Sequence, residues 1–149
     1  NVSPLSLLVL DVDDFKNYND TYGHPEGDIV LQEVARLLIG ETRESDIVAR
    51  IGGEEFAVIL PQTDSTSALE VAERMRFAIA SAPWRLRPVT ASFGIANLQL
   101  ATSPQTLIEA ADRAMYVAKT MGRNRVCAAE GAEGVGRRSP REQAGAPGE

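Results

Sequence analysis

The run Arg50-Ile51-Gly52-Gly53-Glu54-Glu55-Phe56 decides how this chain folds. Ile47-Val48-Ala49 leads in and Phe56-Ala57-Val58-Ile59-Leu60 leads out, and both apolar flanks read as buried strands. Two glycines between strands predict a tight hairpin turn at positive φ, where only glycine has no steric cost. Two carboxylates follow at once. Side by side they repel, so the fold alone has no use for them. A site for hard divalent cations does, because such ions take oxygen ligands.

Working outward, Leu5 to Val12 is a nearly unbroken apolar run ending in Asp11 and Asp13, as expected of a strand covered on both faces. Phe15 to Tyr22 reads as a short helix, broken at Gly23-His24-Pro25. Glu26 to Ile39 has helical spacing, with Ile29, Val30, Val34, Leu37 and Leu38 as its inner stripe and Gly40 as its stop. The hairpin strands occupy 46–51 and 55–60, and Pro61 ends the second. Asp64 or Ser65 caps a helix to about Ala80, with Leu69, Ala72, Met75, Arg76 and Ile79 spaced for burial or its edge. Val89 to Leu98 alternates as a strand. Ser103-Pro104 opens a last helix to about Met121, with Met115 and Tyr116 on its buried face, and Gly122 closes it. Arg125 to Ala128 forms a short final strand.

The order contains the βαββαβ arrangement of ferredoxin-like folds. The expected class is α+β (α/β-type), a central mostly antiparallel sheet with helices packed on it. Residues 1–129 form one domain. After Ala129 the composition turns to Gly, Pro, Arg, Glu and Ala, so 130–149 read as a disordered tail.

Composition excludes several classes. The 149 residues are 44% hydrophobic, enough for one core. Net charge is −6, from 21 acidic against 15 basic residues, which argues against a nucleic-acid polymer as partner. A small phosphate ligand remains open. The single cysteine, Cys127, cannot make an internal disulfide, so a reducing cytoplasm is the expected setting. No membrane span or signal peptide is visible, and no direct membrane contact is expected, although the chain could be cut from a longer, tethered parent.

In a βαββαβ sheet the first strand lies beside the hairpin strand, so Asp11 can approach Glu54 and Glu55. Three gathered carboxylates repel unless cations lie between them. Mg²⁺ held there would activate a hydroxyl and neutralise a triphosphate. The rival reading leaves Asp11 and Asp13 capping a turn and the glutamates solvated. Asn19 and Asp28 have the equivalent rival reading, as helix-end caps. The lone His24 reads as a turn residue.

Four ordered motifs resemble the GGDEF family of diguanylate cyclases. They are Asp11-Val12-Asp13-x-Phe15-Lys16-x-x-Asn19-Asp20, Gly23-His24-x-x-Gly27-Asp28, Arg50-x-Gly52-Gly53-Glu54-Glu55-Phe56 and Lys119-x-x-Gly122-Arg123-Asn124. The resemblance spans residues 5 to 128 and implies a fold like the palm of nucleotidyl cyclases. It implies condensation of two GTP into cyclic di-GMP with release of pyrophosphate, dependent on Mg²⁺ or Mn²⁺ and on a homodimer. By position, Asp11, Glu54 and Glu55 would be catalytic and would bind metal together with the Val12 carbonyl. Backbone amides of Asp14 and Phe15 would hold phosphate at a helix mouth. Lys16, Lys119 and Arg123 would meet phosphates as well. Asn19 and Asp28 would read guanine, whose ring N–H and amino group both donate to a carboxylate; adenine offers no donor at N1.

Arg43-x-x-Asp46, with five residues between Asp46 and Gly52, resembles the family's inhibitory product site. Cyclic di-GMP would bind there, with Arg74 helping from a neighbouring subunit. A surface ion pair is the simpler reading of the bare pattern. One departure stands out: the family's D-x-L-T-x-L-x-N-R-R segment does not precede the first strand. The sequence therefore reads as a fragment, with an upstream regulatory domain outside it. The alternatives to an enzyme are a catalytically silent cyclic di-GMP receptor and a dimerisation module.

Overall fold

The computed structural model describes residues 3–98 and 103–129; the tail expected from 130 onward lies outside them. Nine elements follow one another: β1 (Leu5–Val12), α1 (Phe15–Tyr22), α2 (His24–Gly40), β2 (Ile47–Arg50), β3 (Glu55–Pro61), α3 (Ser65–Ala80), β4 (Ala91–Asn97), α4 (Pro104–Thr120) and β5 (Val126–Ala128). One sheet runs β2-β3-β1-β4-β5. Its pairs are antiparallel except β4 with β5. The expected α+β class and hairpin are both present.

β1 is central, and its alternation sorts the core onto two faces. Leu8, Leu10 and Val12 join Val34, Leu38, Ala72, Met75 and Ile79 under α2 and α3. Leu7 and Val9 join Ala96, Leu107, Ala111 and Met115 under α4. By the same period of two, Asp11 falls on the α4 face. α4 lies hard against the sheet because Gly94 has no side chain: a Cβ there would come within 2.1 Å of the Ala111 carbonyl oxygen. Two alternatives in the capping of α3 resolve to Asp64, whose carboxylate accepts from the Ser67 N–H at 2.9 Å.

Several expectations are corrected. β2 is not a buried strand but an exposed margin of the sheet, with Ile47 53% exposed, because the helices cover the central strands first. Gly52 and Gly53 do not adopt positive φ. The connection is four residues long, 51–54, and needs no left-handed step. It is held by Ile51 and Gly52 N–H groups donating to the Glu55 carbonyl, and by the Arg50 guanidinium on the Gly52 and Gly53 carbonyls. α2 begins at His24, and Pro25 lies in its first turn rather than breaking it; the break is Gly23, at φ 95°.

Three residues expected inside are outside. Ile29 and Leu69 are exposed because the buried stripes run through Val30-Leu31-Val34-Leu38 and Ala68-Ala72-Met75-Ile79. Tyr116 is 67% exposed, since α4 presents Leu107, Ala111, Ala114, Met115 and Ala118 to the sheet. Small alanines let this helix approach closely, and no room is left for a tyrosine. Among the described residues no helix is long and apolar enough to cross a membrane.

Candidate active site

The antiparallel register sets Asp11 of β1 directly opposite Glu55 of β3. Both therefore project from the α4 face. Glu54 precedes β3, and its carbonyl accepts the Val12 N–H at 3.1 Å, closing the hairpin end onto β1. Lys119, in the last turn of α4, reaches back to Asp11 with Nζ 3.0 Å from Oδ2. Sheet register, hairpin length and helix docking thus converge at one mouth.

The electrostatics of that mouth are unfavourable for the chain alone. Burial raises the Asp11 carboxyl above its usual range, and the hydrogen bond and charge of Lys119 only partly oppose it. Glu54 and Glu55 are raised too, first by burial and then by the charge of Asp11. Asp112 on α4 adds to the rise at Glu55. Asp11 Oδ1 is buried and accepts no hydrogen bond from an N–H or hydroxyl among the described residues, and the neighbouring Glu54 carboxyl is the group that shares a proton with Asp11 when Glu54 is protonated. A buried carboxylate oxygen without a donor is costly, and a hard cation would satisfy it. As arranged here, the described residues form no ready-made group of three acids suited to a metal. Lys119 is the cation that faces Asp11 in this arrangement. The donor chemistry fits a divalent ion, which would compete with that ammonium.

Asn19 on α1 is the second unsatisfied point: its Oδ1 is buried and unbonded. It faces Gly27, where an added Cβ would lie 1.8 Å from Oδ1. Gly27 is thus required by the asparagine amide. Asp28 is the next residue on α2 and is exposed. The structure brings Asn19 against Gly27, the residue before Asp28.

Asp14, before α1, is left-handed at φ 55°. Its carboxylate lies 3.7 Å from Arg123 Nε, which brings the expected phosphate loop and the expected phosphate arginine into contact. Lys16 points elsewhere. It is 88% exposed and pairs with Asp20 one turn on, as a solvated helix residue does.

Arg43 and Asp46 form a closed pair. The Arg43 guanidinium donates to Asp46 Oδ1 at 2.9 Å, to the Pro61 carbonyl at 2.7 Å and to Thr63 Oγ1 at 2.9 Å. Asp46 also accepts the Arg43 backbone N–H at 2.8 Å, and its side chain is only 3% exposed. Arg74, on α3, is paired with Glu41 at 3.1 Å.

The sequence offered Asp13 only as a turn cap at the end of β1. It is buried and accepts three hydrogen bonds, from Thr90, Ser92 and the Asn124 N–H. Its place one residue beyond a buried strand was visible, but its partners lie 77 or more positions away in the chain. Thr90 and Ser92 went unnoticed for the same reason.

Comparison with known proteins identifies the family. The family model described as diguanylate cyclase, GGDEF domain, matches residues 1–125. Diguanylate cyclase A of Treponema denticola is 45% identical over 127 residues, 82% of this chain and 34% of that protein. The response regulator PleD of Caulobacter vibrioides is 42% identical over 130 residues, 83% of this chain and 29% of that protein. This chain thus spans about a third of the length of these curated relatives. The solved GGDEF domain of DgcB from Caulobacter crescentus, in complex with c-di-GMP, superposes with a TM-score of 0.83 at 37% identity, covering 87% of this chain and 80% of that one. The active GGEEF domain of a diguanylate cyclase from Vibrio cholerae gives 0.83 at 32% identity, covering 87% and 85%.

Proposed function

The chain belongs to the GGDEF family of diguanylate cyclase domains, and from that premise we propose that it condenses two GTP into one cyclic di-GMP, releasing two pyrophosphates. The observation that carries this reading is the buried, unbonded Asp11 Oδ1 opposite Glu55. A domain that only bound product would gain nothing from so costly a group.

The family's cyclases are generally metal-dependent. Mg²⁺ or Mn²⁺, bound by Asp11, Glu54, Glu55 and the Val12 carbonyl, would neutralise phosphate charge and acidify a ribose 3′-hydroxyl. The remaining roles belong to the chain. Glu54 or Glu55 would receive the proton of that hydroxyl. Lys119, held 3.0 Å from Asp11, would offset the negative charge of the bound phosphates. Arg123 and the amides of Asp14 and Phe15 orient the distal phosphates. Asn19 and Asp28 choose guanine, since the buried Asn19 oxygen awaits a donor that the base supplies. One domain holds one GTP, so ring closure needs two domains facing each other, each 3′-oxygen attacking the other's α-phosphorus.

Cyclic di-GMP is also the proposed ligand of Arg43 and Asp46, with Arg74 contributed by a neighbouring copy. An upstream regulatory domain would set the pairing of two copies, in the cytoplasm. The test is to force dimerisation by a fused coiled coil, add GTP with Mg²⁺, and identify the product. Cyclic di-GMP with pyrophosphate supports the enzyme. Cyclic di-GMP binding without turnover would instead favour a receptor.

A further inference from the structure

Asp13 joins three segments that are distant in sequence. Its Oδ1 accepts from Ser92 Oγ at 2.7 Å. Its Oδ2 accepts from Thr90 Oγ1 at 2.7 Å and from the Asn124 backbone N–H at 3.0 Å. Its own N–H donates to the Thr90 carbonyl at 2.9 Å.

The Asn124 bond is the unusual one. Gly122, Arg123 and Asn124 follow α4 at φ 127°, 66° and 49°. Two successive non-glycine residues in the left-handed region are sterically disfavoured and persist only where surroundings hold them. Arg123 N–H donates to the Ala118 carbonyl, and Arg76 Nη1 donates to Asn124 Oδ1. Asp13 supplies the tie to β1, next to Asp14, the residue that Arg123 faces at 3.7 Å. Without it the turn keeps its bonds to Ala118, Arg76 and Arg125 but loses its tie to β1, and Arg123 would move off the site. Lys119 would stay, because the helix and Asp11 hold it.

We propose that Asp13 is a positioning residue: by fixing the strained Gly122–Asn124 turn it aims Arg123 at the distal phosphates of the bound nucleotide. The inference rests on the cyclase reading above. It is tested by calorimetric titration of 3′-deoxy-GTP, which cannot cyclise, and of GMP, both with Mg²⁺. In Asp13→Ala the triphosphate should lose about tenfold in affinity while GMP changes less than about twofold. In an Arg123→Ala background, Asp13→Ala should add little further loss.

Equal weakening of both nucleotides, or full additivity with Arg123→Ala, overturns the positioning role and leaves the cyclase reading intact. If Arg123→Ala alone does not weaken the triphosphate, Arg123 is not a phosphate residue and both assignments fall. Should circular dichroism show Asp13→Ala unfolded, Asp13→Asn carries the test. Its neutral oxygen is a weaker acceptor, and a loss of about threefold confined to the triphosphate is expected. A loss shared equally with GMP overturns the proposal there too.

Discussion

At the mouth between β1, β3 and α4, acid groups outnumber their partners: Asp11 Oδ1 accepts no hydrogen bond from an N–H or hydroxyl among the described residues, burial pushes three carboxyls toward protonation, and the charge of Asp11 adds to the rise at Glu54 and Glu55. At Arg43 and Asp46, on the loop between α2 and β2, charges meet their partners within the chain. The first place is unfinished and the second is complete. A ligand adds missing partners at the mouth, whereas at the Arg43 pair it must first displace bonds to Asp46, Pro61 and Thr63. Substrate affinity is therefore expected to respond to single missing atoms, and product affinity to the balance of an exchange.

Breaking the mouth has the largest expected effect. Glu55→Ala or Glu54→Ala should lower cyclic di-GMP formation by about 10³-fold without loss of melting temperature, measured on the forced dimer. Unchanged turnover would remove these residues from the chemistry. Gly27→Ala comes next. Its methyl would collide with Asn19 Oδ1, so affinity for GTP should fall about tenfold to a hundredfold, with that for inorganic triphosphate unaltered.

The complete site is more forgiving. Arg43→Ala should weaken inhibition by cyclic di-GMP about tenfold while leaving uninhibited turnover near its original value. It should also lower the melting temperature, because the Pro61 carbonyl and Thr63 hydroxyl lose a donor. If inhibition persists, product acts elsewhere.

The smallest effect is a pH dependence that separates the two places. Glu54 and Glu55 have raised pKa values in the folded chain, so the fold holds more protons than the unfolded chain between the ordinary and the raised values. Their contribution to stability is present below the ordinary carboxylate range of about pH 4 and is lost as pH rises through the raised values. With a chelator present, melting temperature should thus decline on this account as pH rises from about 4 toward neutrality, and Glu54→Gln with Glu55→Gln should flatten that decline. An unchanged slope in the double variant would contradict the crowding inferred at the mouth.

Much of this was legible from residues. Unbroken apolar runs and breakers gave β1, the hairpin and all four helices within a few positions, because the period of a sheet or helix is local. The mouth was legible through the placement of Asp11 against Glu54 and Glu55, which follows from strand order. Face assignment at helix edges was less so. Ile29, Leu69 and Tyr116 are apolar residues one position off a buried stripe, and the width of the neighbouring layer decides their burial. The exposed β2 illustrates the same limit, since an edge strand and a central one share a hydrophobic pattern. The Asp13 hub and the self-pairing of Arg43 with Pro61 and Thr63 depend on contacts across the fold, which no local pattern encodes.

The most direct measurement is the affinity of 3′-deoxy-GTP with Mg²⁺ and with EDTA, for the unaltered chain and for Asp11→Ala. The account predicts binding that needs the divalent ion in the unaltered chain and loses that dependence, with most of its strength, in Asp11→Ala. Equal affinity in EDTA, or a divalent dependence that survives in Asp11→Ala, would contradict it.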